Sequence, residues 1–167
     1  TYDADHHRML VAAPQAAGVF GFVGQDKVRA GAVELELETG ARGFAAVLVT
    51  ALDGKPIEGS RRMLVTNPGY TLGQNQKLVK YGGAADWFTL AALDAAKPSS
   101  PFIVSGQGTL MEKVDAVVTL RSRAKALMVY PLDGSGKRLA GVRAKKAGGG
   151  FRLKLEAETP WYEVEAR

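Results

Sequence analysis

Side chains do chemistry when groups of complementary type converge, and this chain offers few that could. A nucleophilic mechanism needs an activated hydroxyl, thiol or amine beside a base. The chain has no cysteine, which also removes disulfide frameworks and thiolate metal sites. Its two histidines, His6 and His7, are adjacent near the N-terminus. Neighbours on an extended strand point to opposite faces, so this pair is poorly placed to hold one metal ion. Ser60 lies in Gly59-Ser60-Arg61 and lacks the nucleophile-elbow signature. Glycoside hydrolysis needs two carboxylates flanking the scissile bond. Asp53, Glu58, Asp86 and Glu112 are candidates, but carboxylates occur on any globular surface. Asp53 is accounted for by a turn, and Glu112 could be an edge-strand charge. The expectation is a chain with no catalytic residues, cofactor or metal of its own.

Sugar binding has another signature. A pyranose ring presents apolar C–H faces that match an exposed aromatic ring, and nearby amides or charges bond its hydroxyls. Tyr70, Tyr81 and Trp87 occur in a polar, glycine-rich stretch with Gln74, Asn75, Gln76 and Asp86. These three aromatics are the candidate carbohydrate-binding residues. The competing reading is that Trp87 and Phe88 pin the segment to the core, with at least one of them buried. Trp161 and Tyr162 are neighbours in a strand, so one faces the core and the other the surface.

The elements that must position these residues read as strands. Met9–Ala13 is the first, stopped by Pro14, and Val19–Val23 the second. Gly18, Gly21 and Gly24 resemble a nucleotide-binding loop only superficially, because no helix follows. They mark turns, bulges or close backbone approach. Val33–Glu38 alternates with period two, with Val33, Leu35 and Leu37 inward. Phe44–Leu52 is apolar enough for a strand covered on both faces. Asp53-Gly54-Lys55-Pro56 is turn chemistry, and Arg62–Thr66 returns as the partner strand. Residues 67–110 form a long irregular excursion. Its one helical stretch is Thr89–Lys97, capped by Thr89 and stopped by Pro98. Strands resume at Val114–Leu120, Ala126–Leu132 and, more weakly, Leu139–Ala144. Phe151–Glu156 alternates with Phe151, Leu153 and Leu155 inward, and Trp161–Glu165 closes the chain. About ten short, mostly antiparallel strands predict an all-β sandwich, a single domain over residues 1–167.

The formal net charge is +5, from 22 basic and 17 acidic residues, and it is uneven. Residues 121–154 hold ten Lys or Arg and one acid, Asp133. Such a segment is either the solvated outer face of a sheet or a surface for polyanions such as acidic polysaccharide. Nucleic acid is not expected as a partner. No apolar run is long enough to span a membrane as a helix, so no membrane association is expected. The sequence begins at Thr1 without Met, as a processed product or an excised fragment would.

Three stretches carry a resemblance. The first is Val49-Thr50-Ala51-Leu52-Asp53-Gly54-Lys55-Pro56-Ile57 with Ser60-Arg61-Arg62-Met63-Leu64-Val65-Thr66. The second is Val117-Val118-Thr119-Leu120-Arg121-Ser122 followed by Pro131-Leu132-Asp133-Gly134. The third is Trp161-Tyr162-Glu163-Val164. Together they resemble the C-terminal β-sandwich domain of secreted bacterial glycoside hydrolases of the cellulase-like and β-galactosidase-like kinds. The resemblance implies a secreted or periplasmic, non-catalytic accessory module of a glycan-degrading enzyme. It would bind a polysaccharide or oligosaccharide, or pack against a glycoside hydrolase catalytic barrel. Leu-Asp-Gly occurs twice, at 52–54 and 132–134, and suggests two similar hairpins.

Overall fold

A computed structural model of the chain describes residues 1–24, 26–39, 43–73, 78–80, 88–90, 96 and 108–167. Its strands, in chain order, are β1 (Tyr2–Asp3), β2 (Arg8–Ala12), β3 (Ala16–Phe22), β4 (Val28–Ala30), β5 (Val33–Thr39), β6 (Phe44–Ala51), β7 (Arg62–Thr66), β8 (Thr71–Gly73) and β9 (Leu78–Lys80). They continue as β10 (Phe88–Leu90), β11 (Thr109–Met111), β12 (Asp115–Leu120), β13 (Leu127–Pro131), β14 (Val142–Arg143), β15 (Lys145–Ala147), β16 (Gly150–Leu155) and β17 (Trp161–Ala166). The described residues fall into two compact units, residues 1–69 with 113–167, and residues 70–112.

In the first unit an eight-stranded sheet runs β1-β2-β3-β6-β7-β17-β13-β14 and a five-stranded sheet runs β15-β16-β12-β5-β4, with every pairing antiparallel. In the second unit β8 pairs with β11 and β9 with β10. The all-β expectation holds. The excess over ten strands among the described residues comes from two- and three-residue pieces that carry too little periodicity to be read in sequence.

One hydrophobic cluster draws on both sheets of the first unit, so they are layers over a shared core. Strand β12 organises the smaller layer in three cross-strand rows. Ala116 sits between Leu37 and Leu155, Val118 between Leu35 and Leu153, and Leu120 between Val33 and Phe151. The larger layer supplies Ala17, Val19, Val47, Val49, Met63, Val65, Tyr162 and Val164. The alternations at 33–38 and 151–156 therefore point inward as expected, with Leu37 only partly buried. Trp161 is exposed and Tyr162 buried, as their adjacency requires.

The central hairpin places Val47, Val49, Leu64 and Val65 in strands, with residues 52–61 between them. Gly54 takes φ +72 at the turn, a region that penalises any Cβ. The Asp53 carboxylate accepts from the Ser60 hydroxyl and the Arg61 backbone N–H, both at 2.8 Å. The second Leu-Asp-Gly is built alike: Asp133 accepts from the Ser135 hydroxyl at 2.7 Å and the Lys137 N–H at 2.9 Å. Gly21 (φ +132) lies where a Cβ would meet the His7 carbonyl at 2.5 Å, the close approach expected of that glycine. Asn67 closes the neck of the first unit, its amide donating to the Val114 carbonyl at 2.7 Å beside the points where residues 70–112 leave and return.

Four expectations need correction. Residues 89–90 are extended within β10 and pair with β9, so Thr89 caps no helix, while 91–95 and 97 lie outside the described residues. Strand pairing overrides a weak cap signal. The strand expected at Leu139–Ala144 is only Val142–Arg143, because the chain changes sheets at Ala144. His6 and His7 occupy a turn rather than a strand, with His7 at φ +50. Strand β6 is not covered on both faces: only Ala45, Val47 and Val49 are buried. The same alternation buries Met63 and Val65 and leaves Leu64 half-exposed. Met63→Ala should accordingly cost about 2–5 kcal/mol of unfolding free energy in urea, and Leu64→Ala clearly less. Equal losses would contradict this facing.

Candidate functional site

Of the three aromatics expected to bind sugar, Tyr70 alone is among the described residues. Tyr70 is 39% exposed, and its carbonyl accepts from the Glu112 N–H at 2.7 Å. Tyr81 and Trp87 lie outside the described residues. Two of the carboxylates considered for glycoside chemistry, Asp53 and Glu58, are engaged otherwise. Asp53 is held below the usual carboxylate range by the Arg61 backbone N–H and the Ser60 hydroxyl, which suits a turn anchor and not a proton donor. Glu58 faces Arg121 and Arg123, each at 3.9 Å. Glu112 belongs to the other compact unit, and Asp86 lies outside the described residues. His6 Nδ1 lies 2.9 Å from Asp3. Among the described residues no three His, Asp or Glu side chains are grouped to hold a metal ion.

What distinguishes the molecule is the contrast between the outer faces of its two layers. On the five-stranded sheet the outward residues are charges of both signs. Arg29 pairs with Glu34 at 2.7 Å, Lys27 with Glu36 at 3.1 Å, Arg152 with Glu36 at 3.8 Å, and Lys154 with Glu156 at 2.7 Å and Glu38 at 3.9 Å. Val117, outward between Glu36 and Lys154, is nevertheless buried beneath this lattice. A face laced with ion pairs is content in water.

The N-terminal half of the eight-stranded sheet is different. Register puts Tyr2, Met9, Phe20 and Ala46 in one outward row and Phe22 beside Phe44 in the next. Tyr2 is 65% exposed, Phe20 54%, Phe22 47% and Met9 46%. Phe44 meets Phe20 and Phe22 edge-on, at centroid distances of 5.3 and 5.7 Å. Such edge-to-face contacts hold the rings in place without hiding them. The row Val11, Gly18, Leu48, Thr66, Trp161 extends the same face across the sheet to exposed Trp161. A contiguous apolar surface on a folded domain marks a contact site more often than chance.

The other half of that face is an ion cluster. Glu163 is buried and clasped by Arg62 and by two bonds from Arg138, at 2.8 and 2.9 Å. Arg138 also reaches Glu165 at 2.8 Å and lies 4.4 Å over the Tyr130 ring. Bidentate pairing of this kind fixes geometry as well as charge. The ten basic residues of 121–154 are nearly all exposed, as expected, but they divide among different tasks. Arg138 serves this cluster, Arg152 and Lys154 the salt-laced face, and Arg123 and Lys125 a shallow depression beside Ser60.

Sequence reasoning missed the aromatic face. The signal was Val19-Phe-Gly-Phe-Val23, which is apolar on both parities, so one set of apolar residues had to be left outside. Comparison with known proteins adds no relative: no family model, curated protein or solved structure matches this chain.

The ion cluster has a pH signature. Hydrogen bonds from Arg138, with Arg62 adding to them, hold Glu163 down to about 2 against an ordinary value of 4.5, although burial opposes this. A depressed folded-state value contributes stability above the unfolded value, lost as pH falls through the folded one. Glu163→Gln should therefore lower the melting midpoint most above about pH 4.5, with the gap to the unaltered protein narrowing towards pH 2. Thermal melts across that window check it, and a gap independent of pH would contradict it.

Proposed function

We propose that this chain is a non-catalytic accessory module of a secreted or periplasmic glycan-degrading enzyme, and that it packs through the aromatic face of its larger sheet against a companion domain of that enzyme. The carrying observation is the surface of Met9, Phe20, Phe22 and Tyr2, more than two-fifths exposed at each position. Its rings are phenylalanines and its flanking group a thioether, with the Tyr2 hydroxyl as the lone polar tip. A sugar platform needs hydrogen-bonding groups beside its rings, whereas a domain interface needs shape and apolar area. Met and Phe are enriched at such interfaces. The enzyme context comes from the resemblance of the hairpin at 49–66 and of the closing Trp161-Tyr162-Glu163-Val164.

Direct binding of a neutral glycan is a second reading, favoured by the exposed Tyr70 ring at the start of the unit formed by residues 70–112.

Phe20→Ser/Phe22→Ser tests the packing role. In the chain alone the melting midpoint should move by no more than a few degrees, since exposed substitutions cost about 0.5 kcal/mol or less each. In a longer polypeptide that includes the companion domain, loss of rings buried at the interface should lower the midpoint further. Each truncated buried Phe costs about 3–5 kcal/mol. Equal shifts in both contexts would contradict the packing role. Retention of the isolated chain on a polysaccharide, abolished by the same variant, would reassign this face to sugar.

A further inference from the structure

At the opposite edge of the larger sheet the chain leaves β14, passes Ala144 and enters β15 of the smaller sheet. This crossing bridges the open side of the two layers with one small side chain. The Ala144 N–H donates to the Leu127 carbonyl at 2.9 Å, which ties the crossing to β13. Beneath it lies a cleft of about 270 Å³. Its apolar wall includes Val129, Leu153 and Tyr162, all buried members of the core cluster. Val142 stands opposite Val129 in the sheet register yet is 67% exposed, because nothing from the smaller sheet covers it. The core residues behind it stay covered, so the apolar surface open to a ligand here is chiefly that of Val142.

The rim is mostly basic. Arg143, Lys145, Arg152 and Lys154 line it, with Glu156 as the one acid. Glu156 is taken up by Lys154, and Arg152 faces Glu36. Among the described residues no carboxylate pairs with Arg143 or Lys145. The wall is also preorganised: the Ala157 N–H donates to the Tyr162 hydroxyl oxygen at 3.0 Å, fixing the ring that forms one side. An apolar wall asks for a hydrophobic body, and two unsatisfied cations at its mouth ask for an anionic head. The volume lies just below the usual range of small-molecule sites, which begins at about 300 Å³, and so suits a single small ring.

We infer that this cleft binds a small ring compound with one apolar face and a single carboxylate, the carboxylate meeting Arg143 and Lys145 and the ring lying against Val142, Pro131 and Ala157. A uronic acid residue and an aromatic carboxylate share that chemistry. The cleft shares no residue with the aromatic face, so this inference stands apart from the docking proposal.

The test is an NMR titration of the chain at low ionic strength with galacturonate, benzoate, their neutral counterparts galactose and benzyl alcohol, and acetate as head group alone. The expected result is that at least one ring carboxylate shifts the amides of residues 142–145 and 153 saturably, at least tenfold more tightly than its neutral counterpart and than acetate. Galacturonate alone would identify the ligand as an acidic sugar, benzoate alone as a non-sugar acid, and both as the shared class. Arg143→Ala/Lys145→Ala should abolish the shifts with the melting midpoint unchanged. Ala144→Trp, which fills the crossing, should also abolish the shifts while keeping the rim charge, although at a site packed against the core it lowers the melting midpoint. Absence of binding by both ring carboxylates would overturn the inference. So would equal binding by a neutral counterpart or by acetate, or shifts that survive the double variant.

Discussion

A strand that buries every second residue must put the others somewhere, and that constraint governs this molecule. The shared core takes one parity from each layer, in the rows Ala116, Val118 and Leu120 on one side and Val47, Val49, Met63 and Val65 on the other. The remaining parity has to face outward. On the smaller sheet it is charge in pairs, Arg29 with Glu34, Arg152 with Glu36 and Lys154 with Glu38, over a buried Val117. On the larger sheet it is Met9, Phe20, Phe22 and Phe44 over one half and Arg62, Arg138 and Glu163 over the other. The first solution leaves nothing for a partner to gain. The second leaves rings in water whose burial against another surface is worth roughly 1.5–3 kcal/mol for each full side chain. The asymmetry between two faces of one fold, more than any single residue, points to an interface.

The turns and the ion cluster brace the rest of the larger sheet. Asp53 and Asp133 do the same job at two Leu-Asp-Gly turns, each gathering backbone and hydroxyl donors into one carboxylate. They share a solution to closing a loop, and both carboxyls sit below their ordinary range because those donors favour the charged form. Strand β17, an interior strand of the larger sheet, bonds β7 on one side and β13 on the other. Its Glu163 locks Arg62 of β7 and Arg138 beyond β13 across three neighbouring segments. Rigid backing of this kind lowers the entropy cost of presenting a fixed apolar face to a partner.

Much of the fold was legible because period-two alternation survives in the sequence wherever one face is polar. Val33–Glu38 and Phe151–Glu156 are of that kind, and both point as expected. Where both parities are apolar the pattern is silent on direction. Met63-Leu64-Val65 and Val19-Phe-Gly-Phe-Val23 read as strands in either facing, and only the register with β6 decides that Leu64 and the two phenylalanines go outward. The cleft under Ala144 was hidden for a different reason. A three-residue change of sheet carries no periodicity, and Arg143 and Lys145 look like ordinary surface charge until both layers are in place. The aromatics at 70–87 were found by composition alone, which says what a segment contains and not what it converges upon. For Asp53 the sequence was a better guide: the turn chemistry around it is what the structure shows.

The central claim is that the aromatic face of the larger sheet is a contact surface. Hydroxyl-radical footprinting read by mass spectrometry tests it most directly, comparing the chain alone with a longer polypeptide that includes its companion domain. In the chain alone Met9, Phe20 and Phe22 should oxidise readily and buried Met63 should not. In the longer polypeptide Met9, Phe20 and Phe22 should be protected, while Leu139 and Val142, exposed away from this face, keep their reactivity. Oxidation of Phe20 and Phe22 at the same rate in both would contradict the account.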